Sequence, residues 1–190
     1  MKKIPTVWQR DPHQRRFVVP HATPGCEWVL LGEGVPTRKY NGTHVAFDGE
    51  RWWARREVKG NQKVPDTFVL VERDEVTGHL FGKVPVQESA FYRYVLEALE
   101  AGKWSGPPEQ AHDWTPGGYE LIGPKINGNP EKAPRHMLIK HSEAEVLRED
   151  KDVRAFDLQE HAFPTLGWEG VVYHHPDGRM AKLKTRDFPR

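Results

Sequence analysis

The sequence predicts an α+β fold built on antiparallel sheets, and three observations carry that expectation. An Asp-Gly pair at residues 48 and 49 separates two β-rich runs, THVAF and ERWWARR. The same device returns at residues 177 and 178, between EGVVYHH and RMAKLKT. Asp-Gly between such runs is a strong hairpin signal, because tight turns between strands need residues that accept positive φ. Finally, stretches with helical period are few beside the strand-like ones. Strands joined by hairpins, with helices interspersed, belong to an α+β architecture with antiparallel sheets.

Each element follows in chain order. The first hairpin is expected over residues 43–56, and residues 67–86 (TFVLVERDEVTGHLFGKVPV) read as a second strand–turn–strand piece. Residues 89–102 place Phe91, Tyr94, Val95, Ala98 and Leu99 on one helical face, with Gly102 as the stop. The densest loop signal covers residues 102–118, and a second loop is expected over residues 123–134. Ser142 and Glu145 form a capping-box pattern that predicts a short polar helix. Asp152 is expected to cap a further helix, VRAFDLQEHAF, ending at Pro164. The pieces flanking the loops are too short to fold alone, so one domain over residues 1–190 is expected.

Composition narrows the class of protein. With 37% hydrophobic residues, seven Trp and eight Phe, the chain is too rich in apolar and aromatic side chains to be disordered. No apolar run has the length needed to span a bilayer, so no membrane partner is expected. The N-terminal lysines lack an apolar stretch behind them, which argues against a signal peptide. The single cysteine, Cys26, excludes an internal disulfide and a cysteine zinc cluster, and a cytoplasmic location is expected. Net charge is only +1, whereas phosphate contacts make most small nucleic-acid binders more basic. Basic residues nevertheless concentrate in residues 51–59 and 179–190, and acidic ones in residues 142–157.

Four short segments carry the residues suited to chemistry. In RKYNGT, Lys39 ends a strand-like run before a turn that Asn41-Gly42 can make. In YELIGP, Glu120 interrupts an apolar strand pattern; alternation sets Tyr119 and Leu121 on one face and Glu120 with Ile122 on the other. In WEGVVYHH, Glu169 precedes a glycine and a β-branched run. In MAKLK, Lys182 and Lys184 share one face of a strand, and an anionic partner is a reason to place two like charges so. Each segment alone also fits an ordinary surface lysine or solvated carboxylate. The histidines offer no tight HxxxH with a third ligand, so they are expected at the surface or hydrogen-bonded rather than on a metal.

Together, in the order Lys-x-Asn-Gly, YELIG, EGVVY and Lys-x-Lys, the four segments resemble the covalent nucleotidyltransferases: DNA ligases, RNA ligases and mRNA capping enzymes. The stretches VWQRD, CEWVLLGEG, RKYNGT, YELIGPKINGNPE and EGVVYHHPDGRMAKLK are similar to a small family of ATP-dependent RNA ligases shared by viruses, bacteria and animals. That family usually carries Asp where this chain has Asn41. The resemblance implies an antiparallel-sheet nucleotidyltransferase fold, the ATP-grasp-like adenylation domain of ligases. Because the chain ends six residues past Lys184, no appended OB domain is expected, which disfavours capping and ordinary DNA ligation.

What the resemblance implies about chemistry is specific. Lys39 would attack the α-phosphate of ATP and carry AMP, which then passes to an RNA 5′-phosphate before a 3′-hydroxyl seals the strand. A free lysine, with a pKa of about 10.4, must lose its proton to attack, and neighbouring cations favour that loss. Lys182, Lys184 and Mg²⁺ (or Mn²⁺) would supply those cations and neutralise the phosphates. Glu120 would accept hydrogen bonds from the ribose, and Glu169 would bind the metal. Arg38, Asn41, Gly42, Arg55 and Arg56 would line the nucleotide, and Trp52 or Trp53 is either a base-stacking platform or core. The expected partner is RNA with 5′-phosphate and 3′-hydroxyl ends, bound by a monomer. The alternatives are an mRNA-capping-type or DNA-ligase-type nucleotidyltransferase, or a nucleotide-binding module without chemistry.

Overall fold

Alternating apolar residues set the architecture of this chain, seen in a computed structural model that describes residues 3–102 and 114–189. The N-terminal part runs through β1 (Trp8–Arg10), β2 (Val18–Ala22), a short α1 (Glu27–Leu30) and β3 (Val35–Lys39). The middle contributes β4 (Thr43–Phe47), β5 (Trp52–Val58), β6 (Val69–Arg73), β7 (Leu80–Pro85), α2 (Tyr92–Ala101), β8 (Gly117–Ile122) and β9 (Met137–Lys140). The C-terminal part adds α3 (Phe156–Ala162), β10 (Gly170–His174) and β11 (Met180–Lys184). The expectation of mixed α+β structure with antiparallel sheets is met. Among the described residues, no helix is long and apolar enough to cross a membrane.

The elements group into two compact units, a central one over Asn41–Glu143 with the first residues of the chain, and a terminal one over Ile4–Tyr40 and Ala144–Arg190. The central unit is a six-stranded sheet in the order β6-β7-β5-β4-β8-β9, with every neighbouring pair antiparallel. One face is apolar: Val45, Ala54, Val84, Tyr119 and Leu121 bury themselves together with Val95 and Ala98 of α2. Phe91, Tyr94 and Leu99 pack against the same cluster, so α2 presents the stripe that its sequence period predicts. Trp52 belongs to this core, stacked on Phe47 at 5.0 Å and tilted on Tyr119 at 5.1 Å.

The terminal unit holds a three-stranded sheet, β11-β10-β3, and the β1–β2 pair. Val171, Tyr173, Ala181 and Leu183 are fully buried on one face, against Phe163, Phe188, Val7 and Val29. A polar knot crosses this core without leaving a donor stranded. Gln159, fully buried, accepts from Trp8 Nε1 at 2.7 Å and donates to Val153 O at 3.0 Å and to the Tyr173 hydroxyl at 3.1 Å.

The three expected hairpins form as β4–β5, β6–β7 and β10–β11. In the first, Asp48 Oδ1 accepts the N–H groups of Glu50 and Arg51, both at 2.9 Å, and Oδ2 accepts Trp53 Nε1 at 2.6 Å. These hydrogen bonds, that from Arg51 foremost, pull the Asp48 carboxyl down to about 2. Gly49 takes the positive φ of 106° that the turn requires.

Three expectations need correction. Ser142 and Glu145 do not open a helix. A 3₁₀ turn covers His141–Glu143, after which the chain runs extended beside β3, with Val146 bridged to Thr37 and Leu147 N–H donating to Pro36 O at 2.9 Å. An unpaired strand edge competed with a weak local helix signal and won. Asp152 does not cap α3, which starts behind Ala155; its carboxylate pairs instead with Arg154 at 2.5 Å. The α-helix does stop ahead of Pro164, at Ala162, and Pro164 sits at the start of the 3₁₀ turn Phe163–Leu166 that follows, where its missing N–H costs nothing. The loop expected over residues 102–118 gives way to β8 at Gly117, residues 103–113 lie outside the described residues, and the loop over residues 123–134 holds no helix or strand.

Candidate functional site

The terminal unit gathers three of the motif residues by strand register alone. β10 lies between β3 and β11, and Gly170 is opposite Lys39 on one side and Lys184 on the other. Residues opposite one another in antiparallel pairs share a face, so both lysines project from the same side of the sheet. Glu169, one residue before Gly170, closes the group. Its Oε2 accepts from Lys39 Nζ at 2.6 Å and its Oε1 from Lys184 Nζ at 2.5 Å. The carboxylate is only 11% exposed and the two lysines about 20%. Burial works against ionising Glu169, yet the charge of Lys39 and the hydrogen bonds from both lysines outweigh it and hold the carboxyl below its ordinary range.

Gly170 permits this packing. A Cβ there would lie 2.1 Å from Leu183 O, inside the β10–β11 ladder. Lys182 shares the face of Lys184 and is clamped through its backbone, accepting from Val7 N–H and donating to Pro5 O, both at 2.9 Å. Arg38, by contrast, is not brought to the cluster. It pairs with Val171, a core residue, on the opposite face of β3. There its guanidinium meets Glu145 at 3.2 Å and lies over the rings of Tyr40 and Trp168.

The central unit gathers a second group. Gly42 is held against β8, where a Cβ would meet Leu121 O at 2.2 Å and Glu120 Cγ at 2.8 Å. The loop after β8 braces the Asn41-Gly42 turn. Asn127, with a left-handed φ of 48°, donates from Nδ2 to Asn41 Oδ1 at 3.2 Å and to Gly42 O at 2.7 Å, and Glu131 accepts the Asn41 N–H at 2.7 Å. Glu120 is opposite His44 in the β4–β8 ladder, on the sheet face away from α2, and its side chain is 13% exposed. His141 Nε2 lies 3.1 Å from Glu120 Oε2. The His44 ring lies 5.4 Å from that of His141, and its Nδ1 is buried without a hydrogen-bond partner among the described residues. Burial, then the neighbouring His141, pushes His44 down to about 3, so its imidazole is neutral.

Arg55 and Arg56 are both exposed and point to opposite sides of β5. Strand alternation gives Arg55 the face of Trp53, while Arg56 shares the face of the core residue Ala54. Trp53 carries the Lys83 ammonium 4.1 Å above its ring. His44, His141, Asn127 and Glu131 were not among the sequence candidates. The ring of His44 and the carboxylate of Glu120 are 76 residues apart in sequence order, and only the β4–β8 register joins them.

Chemically, the terminal group presents a lysine amine and a second cation around one carboxylate. Two such lysines can neutralise an anionic phosphate, and a carboxylate oxygen is the kind of ligand that Mg²⁺ prefers. The central group presents a partly buried carboxylate with hydrogen-bonding capacity to spare. Compared with known proteins, the chain matches no protein-family model and no curated protein.

Proposed function

We propose that this protein is an ATP-dependent RNA ligase with a nucleotidyltransferase fold, joining 5′-phosphate and 3′-hydroxyl ends through a lysyl-AMP on Lys39. The observation that carries the reading is the pairing of Lys39 and Lys184 across Gly170 with Glu169 bound to both ammonium groups. Together with the order of the four motifs, it fits a nucleophilic lysine kept beside a phosphate-binding cation.

In the first step the Lys39 amine, having lost its proton, attacks the α-phosphorus of ATP. A nitrogen–phosphorus bond forms, the bond to the bridging oxygen breaks, and pyrophosphate leaves. An oxygen of the RNA 5′-phosphate then attacks the same phosphorus and displaces the amine. A 3′-hydroxyl finally attacks the 5′-phosphorus, and AMP departs. Lys184 and Lys182 neutralise the charge that develops on the phosphate oxygens. Glu169 would hold Mg²⁺, which when bound supplies further charge neutralisation on the phosphates. Glu120 accepts from the ribose, Asn41 and Gly42 shape the turn behind the nucleophile, and Arg55 supplies a phosphate contact from β5. The reading assigns Arg38 to holding Glu145 rather than to the nucleotide. It also sets the reaction in the cytoplasm, where ATP and RNA meet.

The test is transfer of label from α-labelled ATP, with GTP in parallel. Label is expected on the denatured wild-type protein in the presence of Mg²⁺ or Mn²⁺ and absent from Lys39→Ala, and the loaded protein should seal 5′-phosphorylated RNA. Labelling from GTP alone would point to a capping-type enzyme. ATP binding without labelling under any divalent metal would leave a binding module and end the ligase reading.

A further inference from the structure

Glu120 is a carboxylate in the middle of β8, 13% exposed, with no Lys or Arg in salt-bridge range among the described residues. A charge so placed needs a donor. That donor is His141, whose Nε2 lies 3.1 Å from Oε2, while Oε1 has no hydrogen-bond partner among the described residues. The imidazole is fixed from several sides. His141 opens the 3₁₀ turn that follows β9, whose register against β8 pairs Glu120 with Ile139. Gly118, two residues before Glu120 on the same face, leaves the ring its space: a Cβ there would lie 3.0 Å from His141 Nδ1 and 3.2 Å from His44 Nε2. The His44 ring stands 5.4 Å away at 40°.

We infer that His141 is a positioning residue for nucleotide selection: it donates Nε2–H to Glu120 Oε2 and so aims Oε1 at a ribose hydroxyl of the bound nucleotide. The inference rests on the reading above, in which Glu120 meets the ribose, and it adds a consequence that reading does not contain. The bond to Oε2 sets the tautomer of His141 and restricts rotation of the carboxylate. A carboxylate held in one orientation, with one oxygen already satisfied, discriminates between a nucleotide that brings a hydroxyl to the other oxygen and one that does not. A carboxylate free to rotate finds water instead and loses that discrimination.

The experiment measures lysyl-AMP formation by the full chain from ATP, 2′-deoxy-ATP and 3′-deoxy-ATP over a range of concentrations. His141→Phe keeps a ring in the space and removes the donor; His141→Gln keeps a donor. The expected results are wild-type discrimination against one deoxynucleotide, a loss of about tenfold in that discrimination in His141→Phe, and most of it restored in His141→Gln. KM for ATP should rise in His141→Phe by about tenfold with kcat little changed, because the residue acts on binding of the ribose and not on the reacting phosphorus. Circular dichroism of each variant shows whether it folds, and if His141→Phe does not, Glu120→Gln beside His141→Gln carries the comparison: the first must lose discrimination and the second keep it. Discrimination unchanged in a folded His141→Phe, or lost equally in His141→Gln, overturns the inference while leaving the ligase reading intact. A wild-type protein that labels on Lys39 but treats all three nucleotides alike also overturns it. No labelling of the wild type removes the ligase reading itself, and the inference with it.

Discussion

At the scale of the residue, two buried groups show how environment sets charge. Glu169 stays ionised against the pull of burial because two lysines hold it. His44 has no such partner among the described residues, and burial keeps it neutral, with its pKa at about 3 in place of the ordinary 6.5. Since the unfolded chain takes up that proton first, the folded state loses stability as pH falls from about 6.5 towards 3, by up to roughly 1.4 kcal/mol per unit. His44→Phe is expected to flatten this part of the curve, and urea unfolding at pH 7 and pH 4.5 measures it: the stability difference between the two pH values should shrink in the variant. An unchanged difference would mean that His44 is not the group that titrates. The placement of the motif lysines was legible residue by residue, since a two-residue period puts Lys182 and Lys184 on one face. The same period places Arg38 and Lys39 on opposite faces of β3, a separation that can be read directly from the chain. Asn127, Glu131 and His141 were not legible, because each acts on a residue that is remote in sequence.

At the scale of the element, glycines decide how closely strands approach. Gly170 faces Leu183 O at a distance that no Cβ tolerates, and the approach it permits brings Lys39 and Lys184 to one carboxylate. Gly170→Ala must push β11 away from β10. The expected cost is about 1–3 kcal/mol by urea unfolding, with lysyl-AMP formation falling further than stability accounts for. Activity that tracks only the unfolded fraction would show that the spacing of the lysines is not what matters. The hairpins were readable because Asp-Gly turns and strand alternation are local signals; Asp48 satisfies three donors within five residues of itself. The segment around Ser142 misled for the opposite reason. Its capping pattern is local and weak, whereas the ladder it joins beside β3 is supplied by residues more than a hundred positions earlier.

At the scale of the molecule, the chain folds as two compact units with separate apolar clusters. Phe163 is fully buried in the terminal cluster, edge-on to Phe188 at 6.3 Å. Phe163→Ala is expected to cost about 3–5 kcal/mol, and hydrogen exchange should show the loss of protection first in β3, β10 and β11. Protection in β4, β5 and β8 should persist at denaturant concentrations where the terminal strands already exchange. Simultaneous loss everywhere would mean that the units unfold as one. Local patterns alone carry the strand-rich α+β class, the three hairpins, the face of α2 and the strand positions of Lys39, Glu120, Lys182 and Lys184, because all of these follow from periods and turns within a few residues. Tertiary structure alone decided that Glu169 meets both Lys39 and Lys184, that His141 meets Glu120, and that the chain after β9 extends along β3. Those contacts depend on which strands become neighbours and in what register, and register is set by burial of whole faces rather than by any local preference.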